Sequence, residues 1–324
     1  MAWRKLLDMT EEYDFEPEGV FPALPTPMNE RDEINYDATR EHLEYLAENS
    51  IPGVVPAGCT GHAATLFHDE HIDYVTQVAE MADDRGLDVI AGSGTNSTYE
   101  TIDLAQRIEE NADIDAHLMI SPYQNKPAQR GNIQHYELVA EEVEEPIIAY
   151  NVPSRTGRNL VPETQEQISE IPGVIGMKEA SNMPDQIKEL GERFMDRDDF
   201  YLLSGDDPRN DLVYNVGGSG AISVTGNIAP EKSMDVWETA LLEEDTDRAE
   251  ELNEELEPLH SAMFQEGEVN PVGVHYALNQ IGFDFGTPRP PNNYQPLENE
   301  RDVTGEVHQN QTEIEEALDE FKLN

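Results

Sequence analysis

Eight parallel strands, each followed by a helix, closing into a (β/α)₈ TIM barrel of the α/β class with a small C-terminal helical appendage: this is the fold that the 324-residue chain predicts. Three observations lead to it. Short apolar, β-branched runs recur eight times, and amphipathic stretches with apolar residues three and four apart lie between them. The runs are apolar throughout rather than alternating, as expected of strands buried on both faces in a parallel sheet. Eight βα units in about 225 residues match the size of such a barrel.

Taken in order, the strand candidates are "GVFPALPTP" from 19, "PGVVPAG" from 52, "LDVIAGSG" from 87 and "DAHLMISP" from 115. They continue with "PIIAYNVP" from 146, "GVIGMKEA" from 173, "FYLLSGDD" from 200 and "GAISVTGN" from 220. Helices are expected in "YDATREHLEYLAEN", "DEHIDYVTQVAEMADD", "TYETIDLAQRIEEN" and "YELVAEEVEE". Pro162 and Pro230 stand where a first helical turn begins, a position that suits a fixed φ and a missing N–H. An open doubly wound sheet has the same alternation. Yet no G-x-G-x-x-G follows the first run and no Walker A sequence occurs, so its nucleotide-binding forms lack support.

From about residue 241 the pattern is helical only: "AEELNEELEPLHSAMFQ", then "NPVGVHYALNQIG", a Pro- and Asn-rich connector over 286–311, and a last helix in "TEIEEALDEFK". The expected organisation is an N-terminal extension over 1–18, a catalytic barrel over 19–240 and a C-terminal helical region over 241–324.

Lys plus Arg is 20 against 68 Asp plus Glu, a formal charge of -48. Such a surface repels phosphate backbones and anionic lipid heads, which excludes nucleic-acid and membrane-surface binding as expected functions. The acids are spread among regular apolar segments, so an acidic tail or disorder fits badly. Self-repulsion on this scale is tolerable where salt screens it, and at about 1 M the Debye length is ~3 Å. A halophilic, high-salt cytosol is the expected environment. Cys59 is the sole cysteine, so no intrachain disulfide forms. The N-terminal stretch lacks a signal-peptide core, and no apolar run approaches the ~18 residues of a span; a cytoplasmic location is expected.

In a barrel the reacting groups project from the C-terminal ends of the strands. Here those ends are Cys59-Thr60-Gly61-His62, Ser121 to Lys126, Tyr150-Asn151 with Ser154-Arg155 beyond, Lys178, Ser204-Gly205-Asp206-Asp207, and Ile222-Ser223. Lys178 is one of only six lysines, yet it closes an apolar run. Burial disfavours the charged form, which would free a neutral amine to attack a carbonyl and form a Schiff base. A lysine that snorkels to solvent or pairs with Glu179 fits the same position. Tyr150 is either a proton-relaying phenol or a core tyrosine. Arg155 offers a two-pronged hold on a carboxylate, or a structural ion pair. "HDEH" at 68–71 spaces two histidines as a metal pair would, but lacks a third ligand in register, and helix capping by Asp69 explains it as well.

Jointly, "GCTGHAATLFHDEH", "IAGSGTN", "SPYQNKP", "YNVPSRTG", "GMKEAS" and "LLSGDD" resemble the dihydrodipicolinate synthase / N-acetylneuraminate lyase family, class I aldolases on a (β/α)₈ barrel, over residues 19 to 290. The resemblance implies that Lys178 forms the imine with pyruvate, with no metal and no other cofactor. It implies that the backbone at Cys59 and Thr60 holds the pyruvate carboxylate, that Tyr150 relays protons, and that Gly205 and Ile222 line the site through their main chains.

"YNVPSRTG" is similar to the synthase branch, whose arginine at the place of Arg155 binds the carboxylate of aspartate semialdehyde in lysine and diaminopimelate biosynthesis. The same resemblance implies a homotetramer built as a dimer of dimers. It also implies a regulatory lysine site at His68, His71, Asn96, Glu100 and Tyr123, with Ala63 where a serine is common.

Two departures stand out. The family typically has Thr-Thr-Gly-Glu where this chain has Cys59-Thr60-Gly61-His62, and Tyr-Tyr where it has Tyr123-Gln124. In the family the first threonine and the second tyrosine, the latter reaching in from a neighbouring subunit, complete a hydroxyl relay. A thiol is a weaker donor, and an amide does not titrate. The departures are compatible with a slow synthase, with a relay rebuilt through His62 and water, or with a 2-oxo-3-deoxy sugar-acid or 4-hydroxy-2-oxo-acid aldolase. A catalytically silent paralogue that binds an oxo acid is the reading of another class. His62 is expected to titrate near neutrality, or to lie at the surface or an interface.

Overall fold

The computed structural model describes residues 13–194, 197–265, 269–292 and 306–323, with the backbone alone for 306–309. Strands β1 (Gly19–Pro22), β2 (Gly53–Val54), β3 (Asp88–Gly92) and β4 (Ala116–Ile120) are followed by β5 (Ile147–Asn151), β6 (Val174–Glu179), β7 (Tyr201–Ser204) and β8 (Gly220–Ser223). They pair in the order β1-β8-β7-β6-β5-β4-β3-β2, every pair parallel. Closure comes just past β1 and β2: Val55 N–H donates to Pro22 O at 2.9 Å and Leu24 N–H to Val55 O at 3.0 Å. All eight predicted strands form, and the barrel is closed.

Each strand is followed by a helix, from Tyr36–Glu48 after β1 to Pro230–Leu241 after β8. Pro162 and Pro230 each open a helix, since proline lacks the N–H that a first turn leaves unpaired. Phe21, Ile90, Leu118, Ile148, Leu203 and Ile222 fill the interior of the barrel. Alternate strand residues such as Val20, Met119, Ile147, Ala149 and Leu202 pack outward into the helical layer, where Tyr74, Tyr136 and Trp237 are fully buried.

Four helix expectations change. The helix after β4 is Gln129–Ala140, not the stretch from Tyr136 to Glu145. Its C-terminal continuation is diverted because Glu144 and Glu145 N–H both donate to Glu109 Oε1, at 2.8 and 2.9 Å. The stretch 249–265 divides into Thr246–Glu255 and Glu257–Met263, because Pro258 has no N–H to continue the ladder.

The last helix, Glu306–Phe321, starts inside the expected connector, of which 293–305 lie outside the described residues. At "HDEH" the cap is made by Glu70, whose Oε2 accepts from Phe67 N–H at 3.3 Å, while Asp69 pairs with Arg107 at 2.5 Å.

The C-terminal helices are fastened over the mouth near β1 and β2. Met28 N–H donates to Phe285 O at 3.0 Å, and Asn35 Nδ2 to Asp284 O at 3.0 Å. Among the described residues no helix is long and apolar enough to cross a membrane.

Candidate active site

Lys178 and Tyr150 are register partners on β6 and β5. Their inward aim depends on an irregularity. Ile147 pairs with Val174 but Ile148 pairs with Gly176, so Ile175 is an extra residue on β6. Such a bulge reverses the facing of everything beyond it. Ile175 already lies among the interior residues, so strict alternation would have sent Lys178 outward. With the bulge, Lys178 and Tyr150 face the interior, and Glu179 and Asn151 face the helices.

Lys178 is 6% exposed and Tyr150 7%, and the ammonium nitrogen sits 4.4 Å from the centroid of the Tyr150 ring. Burial lowers the Lys178 pKa to about 8, against the opposing pull of Cys59 and Asp207. Burial, with Cys59 beside it, holds the Tyr150 hydroxyl well above the usual phenol value, so it stays protonated.

The pairing with Glu179 does not form. The Glu179 carboxylate instead accepts from Asn151 Nδ2 at 3.0 Å, Gln165 Nε2 at 2.8 Å, Gln186 Nε2 at 3.2 Å and Ser181 N at 2.6 Å. This buried carboxylate is satisfied wholly by amides, and it locks the ends of β5 and β6 to the helices Pro162–Ser169 and Pro184–Phe194.

Lys178 opens into a cavity of about 380 Å³. Cys59, Thr60, Tyr150, Arg155, Gly205 and Ile222 all line it, so the structure brings together the residues expected for catalysis and substrate binding, Gln124 excepted. A Cβ on Gly205 would lie 2.7 Å from Lys178 Cε, so glycine there leaves room for the lysine. The N–H groups of Cys59 and Thr60 meet no acceptor among the described residues, and two adjacent free N–H groups form a cradle for an anion. Arg155 makes no ion pair among the described residues; its Nη2 donates to Asn270 O at 3.0 Å.

Asp206 and Asn270 also line the cavity, and neither was singled out for a role. Burial and the neighbouring Asp207 raise the Asp206 pKa to about 6. Asp206 stands at a strand end and was legible there. Asn270 comes from the C-terminal region, and barrel logic gives no signal for it. A further signal in the sequence was available: between Asp115 and Glu137, and between Glu145 and Glu163, this acid-rich chain has no Asp or Glu, while Lys126, Arg130, Arg155 and Arg158 fall in those windows.

His62 departs from both expectations. It is buried, and burial, followed by the charge of Arg289, lowers its pKa to about 4. Its Nε2 lies 2.9 Å from Nε2 of His275, so it is not a neutral-pH carrier for a rebuilt relay. Gln124 is exposed at a turn with φ 63 and lines neither cavity of its own chain.

An adjoining cavity of about 340 Å³ is lined by His68, His71, Glu100, Tyr123 and Ala63. His68 Nε2 is 3.2 Å from Glu100 Oε1. His71 is bonded to Gly92 O at 2.7 Å, and its pKa is lowered to about 4 by burial. Asn96 does not line that cavity. Among the described residues no three His, Cys, Asp or Glu side chains gather as a metal site.

A buried lysine beside a phenol and a guanidinium, at the C-terminal mouth of a (β/α)₈ barrel, defines an aldolase-type lyase. The dihydrodipicolinate synthetase family model matches residues 16–310. The 4-hydroxy-tetrahydrodipicolinate synthase of Haloarcula marismortui is 44% identical over 265 residues, covering 82% of this chain and 84% of that protein. That of Archaeoglobus fulgidus is 44% identical over 274 residues, covering 85% and 91%.

Among solved structures, the dihydrodipicolinate synthase of Acinetobacter baumannii in complex with pyruvate is 33% identical with a TM-score of 0.85, covering 95% of this chain and all of that one. This chain belongs to the dihydrodipicolinate synthetase family.

Proposed function

We propose that the protein condenses pyruvate with aspartate semialdehyde to 4-hydroxy-tetrahydrodipicolinate, through an imine on Lys178. The observation that carries this reading is the placement of Lys178, Tyr150 and Arg155 around one cavity, with the free N–H groups of Cys59 and Thr60 on its wall. The Lys178 nitrogen lone pair attacks C2 of pyruvate and water leaves, giving the iminium; loss of a methyl proton gives the enamine. The enamine carbon attacks the aldehyde carbon, and the new alkoxide takes a proton from the Tyr150 phenol. The amino group of the semialdehyde then displaces Lys178 at C2, which closes the ring and frees the enzyme. Arg155 holds the semialdehyde carboxylate and Thr60 with Cys59 the pyruvate carboxylate.

The rest of the reading is a cytoplasmic homotetramer working at high salt, without a metal or a separate cofactor, and inhibited by lysine at the cavity of His68, His71, Glu100 and Tyr123. Borohydride reduction with pyruvate in molar KCl, followed by peptide mass analysis, is expected to place the adduct on Lys178. No adduct would leave the catalytically silent reading. Arg155→Ala is expected to keep that adduct and to lower kcat/KM for aspartate semialdehyde about 10- to 100-fold, the scale of a charge-assisted contact. Unchanged turnover of the semialdehyde, or faster turnover of a sugar-acid aldehyde, would redirect the substrate assignment.

A further inference from the structure

We propose that Asn270, from the C-terminal helical region, is a positioning residue that orients both carboxylate-holding groups of the active site; the proposal rests on the assignment of those groups above. Asn270 precedes the helix Val272–Gln280 and reaches back over the barrel mouth. Its Nδ2 donates to Thr60 Oγ1 at 2.9 Å, and its main-chain carbonyl accepts from Arg155 Nη2 at 3.0 Å. One residue therefore touches both ends of the cavity that it lines.

The direction of the first bond matters. A hydroxyl has one proton and two lone pairs. Asn270 occupies a lone pair, so the Thr60 proton stays available and is turned away from the amide. Thr60 is 3% exposed, so its hydroxyl has few other orientations. The second bond uses one N–H of a planar five-donor fork and leaves the others for a carboxylate. Asn270 Oδ1 is buried and meets no donor among the described residues, so the amide is not there to complete a local network of its own.

The helix behind it is anchored to the same loop. His275, on Val272–Gln280, meets His62 two residues after Thr60, with Nε2 to Nε2 at 2.9 Å. The Cys59 thiol is a weak donor, so beside the two free N–H groups the Thr60 hydroxyl is the stronger side-chain donor at this edge of the site.

The test separates the two bonds. Asn270→Ala and Asn270→Asp each remove the donor to Thr60 while keeping the carbonyl that faces Arg155. Pyruvate dependence is read by borohydride trapping on Lys178, and both substrates by initial rates, in molar KCl. Both variants are expected to raise the half-saturating pyruvate concentration about fivefold, the effect of losing one ~1 kcal/mol hydrogen bond, with a smaller change in KM for the semialdehyde. Adding Asn270→Ala to Thr60→Val is expected to cost less than about twofold more, because the hydroxyl that Asn270 orients is already gone. A wild-type protein that traps no pyruvate would overturn the imine assignment itself. A wild type that traps pyruvate, with variants that half-saturate at the same concentration, would overturn the role of Asn270. If Asn270→Ala does not fold, Thr60→Val removes the hydroxyl that Asn270 orients, and an unchanged pyruvate dependence there leaves Asn270 nothing to position and overturns the proposal as well.

Discussion

With a pKa of about 8, Lys178 is mostly charged at pH 7 and mostly neutral at pH 9. The neutral amine is the nucleophile, so its supply rises with pH. At saturating pyruvate the initial rate of adduct formation is expected to rise about tenfold from pH 7 to pH 9, the ratio of deprotonated fractions. A flat profile would show that Lys178 does not titrate in that window. At rest Tyr150 is protonated across this window, because burial raises its pKa well above the usual phenol value. Gly205 is tied to the lysine by space alone. In Gly205→Ala the new Cβ would meet Lys178 Cε at 2.7 Å and Ala180 Cβ at 2.8 Å. The lysine must move away, so the yield of trapped adduct is expected to fall at least about tenfold, with far-ultraviolet circular dichroism unchanged. Full trapping in that variant would mean the lysine has another route to pyruvate. At this scale the site was largely legible: an amine closing an apolar run and a phenol sit at strand ends, and a guanidinium lies on the helical turn just past β5. His62 was not, because nothing in its neighbours announces His275, which is 213 residues away.

Strand β6 decides where the amine points. Alternation alone, counted from Val174 outward, gives the wrong face for Lys178, and the extra residue Ile175 corrects it. The bulged end is then held by Glu179, 1% exposed, among the amides of Asn151, Gln165 and Gln186. Glu179→Gln would turn one acceptor into a donor aimed at other donors. It is expected to destabilise the protein by about 2 kcal/mol in denaturant unfolding, the order of an unsatisfied buried polar contact, and to lower adduct formation as the β5 and β6 ends loosen. Unfolding midpoints and adduct formation equal to the wild type would show that the carboxylate is dispensable. Element existence was readable from apolar runs and periodicity, and all eight strands form. Boundaries were not, where a distant side chain sets them. Glu109 ends the helix after β4 by taking two amides from the chain beyond it, and the stretch 249–265 breaks at a proline that lies inside an unbroken polar and apolar pattern.

The whole molecule carries a formal charge of -48, and its few cations are shared: Arg193 faces Glu163, Glu166 and Glu189 at once. Like-charge repulsion weakens the folded state where it is unscreened, and at 1 M salt the Debye length falls to about 3 Å. The thermal unfolding midpoint is therefore expected to be higher in molar KCl than in dilute buffer, and equal midpoints would remove the high-salt assignment. Two acid-free stretches, 116–136 and 146–162, run through the loops after β4 and β5, hold Lys126, Arg130, Arg155 and Arg158, and adjoin the cavity into which Lys178 opens. The sequence by itself determined the alternation of strand and helix, the charge, and the residues at the strand ends, because periodicity, composition and position along a strand are local properties. Only the tertiary structure decided that Lys178 faces inward, that His62 is buried against His275, and that Asn270 spans Thr60 and Arg155. Each of these depends on a bulge or on a contact between residues far apart in the chain, which closure of the barrel and docking of the C-terminal helices create.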